Sequence, residues 1–488
     1  MARILLVEPK TKTSYPPLGL MKIATYHRLL GDEVVFISGL NKNARDDFWD
    51  KIYITSVFTY NFDVLVKTVQ FYRENHANSN AIEVGGISAS LLPQMLFEAT
   101  GVFPHVGLLD KEDPILTRHA KDNPDLAYLL KCVPSIDNLP PSYDIFGDLH
   151  SQYSKILDCA YFLYSTKGCP NSCKFCAVKQ LEPEFVDYIP IYPRIKYIAE
   201  RWGEKENILL LDNNIAASSS YDRIIDELKD CGFEKGAKLK KTNHNGNIIY
   251  KKRTVDFNQG VDARRMTKRM MKKMAEIAIE PLRLAFDDIA MSKIYEEKAR
   301  MALDFGINSL SNYMLFNYHD EPVNLYRRFI VNLSILKDYP KGKIFSFPMR
   351  YSPVSGTDRK YIGVSWTKRE LRSVQLVLHA THGIVSHNRD YFLRAFGCDE
   401  EQFKRILLYP YNYILNRDFY EYGTKDIAKW ERDYSRLSEG ERVEFKNLIC
   451  DGRVTMLPIT SNAKIRKILQ HYENEHANVL PKPEVKSK

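Results

Sequence analysis

The chain has 488 residues, 44% of them hydrophobic and 27% charged, the composition of a folded protein too long for a single core. Its net charge of +9, from 70 Lys and Arg against 61 Asp and Glu, is a mild excess that assigns no polyanionic partner by itself. No stretch approaches the roughly 18–20 uninterrupted apolar residues of a membrane helix. No membrane insertion is therefore expected, and the expected location is cytoplasmic, where thiols stay reduced and clustered cysteines more often bind metal than form disulfides.

In chain order, the opening "MARILLVEPK" reads as a first strand, too short and too soon broken for a signal peptide. "RILLVEP" (3–9) is a near-continuous apolar run, as expected of a strand covered on both faces. A loop with Pro16, Pro17 and Gly19 leads into a helical stretch at 20–31. Strands follow at 32–38, 51–59 and 81–86, with a helix near 62–76. This alternation predicts a doubly wound, Rossmann-like domain over 1–130. Its ligand edge should lie near Pro16–Gly19, Ser56–Tyr60 and Gly85–Ser88. Residues 131–158 are Pro-rich and weakly periodic and read as a connector.

A second alternating series spans 159–365. Its strands are expected at 160–168, 207–213, 254–260, 281–287, 309–317 and 343–350, with helices at 189–202, 220–232, 266–278 and 321–338. Six β/α steps make a partial parallel barrel, whose chemistry belongs at the C-terminal ends of the strands. From 366 to 488 the pattern turns helical, ending in a polar tail expected to fray. Two stretches, 235–253 and 264–273, are locally basic. The plain reading is a solvated loop and an exposed helix face; the sharper one is a surface for phosphate or nucleic acid.

The densest chemistry is "TKGCPNSCKFCAV" (166–178), which carries Cys169, Cys173 and Cys176 directly after the first strand of the second series. Three thiolates on one tight loop can hold three irons of a [4Fe–4S] cluster and leave the fourth open for a small molecule. The rival is structural zinc, with Cys159 as the fourth thiolate. The other cysteines, Cys132, Cys231, Cys398 and Cys450, are scattered and read as buried packing residues. His379, His382 and His387 have no acidic or thiol partner at suitable spacing and read as surface or packing histidines. No Gly-x-x-x-x-Gly-Lys-Ser/Thr loop and no Gly-x-Ser-x-Gly elbow is present, so nothing supports NTPase or hydrolase chemistry.

"GCPNSCKFC", with Phe175 before the last cysteine, resembles the signature of the radical S-adenosylmethionine enzymes. The resemblance covers about residues 156–355 and implies a partial barrel in which the open iron chelates S-adenosylmethionine. One electron, from a reductant such as flavodoxin or ferredoxin, then cleaves the sulfonium to a 5′-deoxyadenosyl radical that abstracts hydrogen from substrate. It further implies that Phe175 and the strand-end residues Asp212, Asn213, Asn214, Asn258, Gln259, Asp262 and Arg264 bind the cofactor. The family's Gly-Gly-Glu after the second strand is absent. The first 130 residues resemble the cobalamin-binding-type domain of one branch of the family; the Asp-x-His-x-x-Gly motif that supplies a cobalt ligand in some cobalamin proteins is missing, though members of this branch can bind cobalamin without it. With cobalamin, methyl transfer to an unactivated carbon would be expected; without it, rearrangement or group insertion. The substrate is not identified by any motif, and an anionic molecule or a nucleic acid is compatible with the basic stretches. The alternative of another class is a metal-stabilised nucleic-acid-binding protein with zinc or a redox cluster and no radical chemistry.

Overall fold

The computed structural model describes residues 1–11, 13, 15–75, 81–122, 124–130, 134–242, 245–380, 383, 385, 387–450, 460–473 and 475. Two compact units are present. The first comprises Met1–Ala285, Glu297–Leu310 and Ser352–Tyr361; the second comprises Phe286–Glu296, Ser311–Tyr351 and Ile362–Lys488.

The first unit opens with four parallel strands, β1 (Arg3–Glu8), β2 (Glu33–Ser38), β3 (Lys51–Thr55) and β4 (Ile82–Gly85), in the order β2-β1-β3-β4. The apolar run of β1 places it centrally, where both faces are covered, and Leu5, Leu6 and Val7 are fully buried. Strand order reverses between β1 and β3, the position at which doubly wound sheets bind ligands. Helices Leu18–Leu29 and Phe62–Arg73 cover the sheet. The turn after β4 requires Gly86, whose φ is +90°; a Cβ there would lie 2.6 Å from the Ser56 carbonyl.

Among the described residues 134–158, in the segment read as a connector, much of the chain is packed. Within it lies the helix His150–Leu157, and Tyr143, Phe146, Tyr153 and Leu157 are buried. Ser142 N–H donates to the Met21 carbonyl (3.0 Å), and Thr25 Oγ1 donates to the Pro140 carbonyl (2.7 Å). The Tyr143 hydroxyl donates to the Ala160 carbonyl (3.1 Å). Pro-rich sequence hides periodicity here because the chain buries isolated aromatics without forming a long helix or strand.

The second series begins with β5 (Ala160–Leu163) and β6 (Asn207–Leu210). A two-stranded ribbon, β7 (Lys238–Thr242) and β8 (Ile248–Lys252), precedes β9 (Thr254–Phe257) and β10 (Leu282–Ala285). β5, β6 and β9 form a parallel sheet in that order. Parallel bridges Val255–Ile279 and Val261–Leu284 carry the series on to β10. The ribbon corrects the expected loop at 235–253: alternating lysines around a turn containing Gly246 form paired strands.

In the second unit β11 (Ser309–Phe316, from Ser311 on) neighbours β12 (Lys343–Arg350). All six expected strands of the series are thus present in chain order. From Lys368 the unit is helical, as expected, with an aromatic core that includes Tyr326, Phe329, Phe396, Phe403 and Trp430.

Candidate metal and cofactor site

β5 ends at Leu163, and residues 164–177 form no helix or strand, yet three side chains tie this loop to the ends of neighbouring strands. Asp212, just beyond β6, is 0% exposed. Its carboxylate accepts from the backbone N–H of Ser165 (3.1 Å) and of Thr166, and from the hydroxyls of Ser165 (2.5 Å) and Thr166 (2.7 Å). Burial raises this carboxyl above its ordinary range, against the pull of those four donors. Glu182 Oε2 accepts from Gly168 N–H (2.7 Å) and from Asn213 Nδ2 (2.8 Å). Asp262 accepts from Asn171 Nδ2 (2.8 Å), and Arg265 donates to Asn171 Oδ1 (3.2 Å). Gly168, at φ +70°, admits no side chain, since a Cβ would lie 2.1 Å from the Glu184 carbonyl oxygen.

The thiols are free, with Cys169 and Cys173 half-buried and Cys176 exposed. Asn214, 2% exposed, donates Nδ2–H to Cys169 Sγ (3.4 Å), while its buried Oδ1 has no hydrogen-bond partner. Arg264 forks onto Asp262 through Nε (2.8 Å) and Nη2 (2.9 Å) and also reaches Cys173, contacts that hold its guanidinium well above the usual range. The Cys176 N–H donates to the Cys173 carbonyl (3.0 Å), turning the loop into the short helix Val178–Leu181.

The structure therefore brings Asn213, Asn214, Asp262 and Arg264 to the cysteine loop. Asp212 is there too, but its oxygens are occupied by the loop itself, so it positions the loop and presents nothing to a ligand. Asp262 is likewise committed to Asn171 and Arg264. Asn258 and Gln259 line a separate pocket with Glu8, Pro9, Phe162 and Leu211, and Phe175 is half-buried in the loop. Glu182 and Asn171 hold the loop and carried no sequence signal beyond ordinary turn chemistry.

Cys159 immediately precedes β5, and the four residues of that strand separate it from the loop, so it does not supply a fourth thiolate. Among the described residues no three His, Cys, Asp or Glu side chains converge as a metal site. The donor set on the loop is nonetheless three soft thiols without a carboxylate or imidazole. That set fits an iron–sulfur cluster and falls one ligand short of structural zinc. Cys398 is exposed, not packed inside; Cys132 and His382 lie outside the described residues. His379 is exposed and His387 stacks edge-on against Phe345.

At the C-terminal edge of the first sheet, a cavity of about 300 Å³ is lined by Pro16–Leu20, Thr55, Gly85–Ile87, Lys22 and Tyr164, the edge expected from sequence. It shares Pro16–Leu18, Thr55, Val57, Ile87 and Leu211 with the neighbouring pocket of about 380 Å³ that Asn258 and Gln259 line. Pockets of this size enclose drug-sized ligands. The nearby His105 directs Nε2 at the Leu108 carbonyl (3.0 Å). No cobalt ligand is assigned from this edge, and no step is routed through cobalamin.

No protein-family model and no curated protein matches the chain. Among solved structures it is similar to the radical S-adenosylmethionine methyltransferase TsrM from Kitasatospora setae, with tryptophan substrate and a SAM analogue (aza-SAM) bound. The identity is 12% and the TM-score 0.47, over 69% of this chain and 71% of that one.

Proposed function

We propose that the chain is a radical S-adenosylmethionine enzyme that functionalises a C–H bond of its substrate. The observation that carries the reading is the cysteine loop, laced to the ends of β6 and β9 and flanked by a buried amide oxygen that lacks a donor. Cys169, Cys173 and Cys176 would hold a [4Fe–4S] cluster, which when bound supplies the one electron that cleaves S-adenosylmethionine. Asn214 Oδ1, unpartnered beside Cys169, would accept from the methionyl ammonium. Arg264 has five N–H donors and gives only part of them to Asp262, leaving others for the methionyl carboxylate. Asn258 and Gln259 would meet adenosine or substrate in their own pocket, beside Phe162 and Leu211. A small flavodoxin or ferredoxin would deliver the electron.

Anaerobic reconstitution with iron and sulfide should give about four irons per chain. Under a chemical reductant the protein should release 5′-deoxyadenosine from S-adenosylmethionine. The Cys169→Ala/Cys173→Ala/Cys176→Ala variant should bind no iron and release none. Asn214→Ala should keep its iron and raise KM for S-adenosylmethionine about tenfold, the loss of roughly one charge-assisted hydrogen bond. A folded parent chain as inert as the triple variant would overturn the reading. An absorption spectrum of the same sample should show iron–sulfur bands and reports directly whether a corrinoid is bound.

A further inference from the structure

The second β/α series is interrupted by the β7–β8 ribbon, which lies between the helix Tyr221–Asp230 and β9. Lys238 stands opposite Lys252, Lys240 opposite Tyr250 and Thr242 opposite Ile248. Side chains alternate along a strand, so these six share one face, and all six residues are exposed. Tyr250 and Ile248 are 63% and 57% exposed. The other face is the anchored one: Leu239 is buried, and Lys241 pairs with Glu206 (3.0 Å).

The two basic stretches of the sequence separate in the structure. In 264–273, Arg264 is paired with Asp262, Arg269 with Asp222, and Lys273 with Asp226 and Glu276. That stretch is largely neutralised by its neighbours. On the ribbon, Lys252 pairs with Glu280, but Lys238, Lys240 and Lys251 have no ion-pair partner among the described residues. Lys238 and Lys240 leave unpaired positive charge on the exposed face, and the exposed Tyr250 and Ile248 beside them add unburied apolar surface. Both penalties are relieved by an anionic partner that also offers flat apolar faces. Single-stranded nucleic acid has that chemistry: phosphates spaced along a backbone for lysines, and bases that stack on an aromatic ring. A lipid headgroup or an acidic peptide would meet the lysines and leave Tyr250 without a counterpart.

The ribbon enters β9 at its N-terminal end, whereas the cysteine loop leaves β5 at its C-terminal end. Since β5, β6 and β9 are parallel, the two lie at opposite ends of one sheet. We propose that the β7–β8 ribbon is a docking arm for single-stranded nucleic acid, set apart from the cluster site and independent of the chemistry there.

The test is fluorescence anisotropy of the full chain with a short labelled single-stranded RNA of mixed sequence, across a salt series. Binding should weaken with salt by about 0.7 in logarithmic slope for each phosphate neutralised. Lys238→Ala/Lys240→Ala, both on the exposed face, should therefore lower the slope by about 1.4 and the affinity roughly tenfold. Tyr250→Ala should weaken binding roughly tenfold at an unchanged slope, through lost stacking. These residues are exposed, so circular dichroism should find the variants folded. Their iron content and 5′-deoxyadenosine release should equal those of the parent, which separates failure of the docking arm from failure of the proposed chemistry. The proposal is overturned by a parent that does not bind the RNA at low salt, or by a Lys238→Ala/Lys240→Ala variant that binds as well as the parent. Tighter binding to duplex, to phosphatidylserine vesicles or to polyglutamate would overturn it equally, assigning the ribbon to that partner.

Discussion

Glu8 closes β1 where the sheet meets its pocket, and it is buried with the Tyr153 hydroxyl donating to its carboxylate. Burial raises its carboxyl to about 7, despite that hydrogen bond. The folded state thus keeps the proton longer than the unfolded chain does. Between about pH 4.5, the ordinary value, and pH 7, the folded protein binds more protons, so stability contributed by this group falls as pH rises and is lost above 7. Glu8→Gln removes the titration but keeps an acceptor for Tyr153. Urea unfolding should find the variant gaining on the parent by up to about 3 kcal/mol between pH 4.5 and pH 8. A constant difference across that range would show that Glu8 titrates normally. Asn214 illustrates the same scale at the cysteine loop, where one buried amide oxygen without a donor supports the ligand contact proposed for it.

The cysteine loop is ordered by what lies beneath it more than by its own sequence. Asp212 gathers two backbone N–H groups and two hydroxyls at its root, and Gly168 lets it pass the Glu184 carbonyl. Asp212→Ala strands those donors in a fully buried site, a cost of about 3 kcal/mol or more. The variant should unfold at lower denaturant and take up less iron, although no cysteine has been touched. Full iron uptake by a folded Asp212→Ala protein would show that the loop does not depend on this root. The ribbon shows the converse. Its strands were legible only as basic residues, because alternation of Lys with Leu, Ile and Tyr signals a strand only once a partner strand is paired to it.

At the scale of the chain, the helical second unit is tied together by residues far apart in sequence. Arg369, 3% exposed, donates to both carboxylate oxygens of Glu475 (2.7 and 3.0 Å), which also accepts from Tyr411 N–H (2.7 Å). Glu475→Ala leaves that guanidinium buried and uncompensated, a loss of roughly 3–5 kcal/mol. Fluorescence of the buried Trp430 in the same unit should report an earlier urea transition, and an unchanged midpoint would rule the anchor out. The beginning of a segment read as a frayed tail is therefore part of the packed unit. The sequence by itself determined the strand and helix series, because apolar runs covered on both faces and amphipathic helices are local patterns. It also located the three cysteines and the ligand edge of the first sheet. Only the tertiary structure decided that Asp212 and Asp262 serve the loop, that Cys159 stands at the wrong end of β5, and that Tyr143, Phe146, Tyr153 and Leu157 are buried. It likewise separated a basic stretch largely ion-paired to its neighbours from a ribbon on which Lys238 and Lys240 have no ion-pair partner among the described residues. Those outcomes depend on which groups meet across strand ends tens of residues apart, and burial and ion pairing are set by such meetings, not by the identity of the residue that takes part.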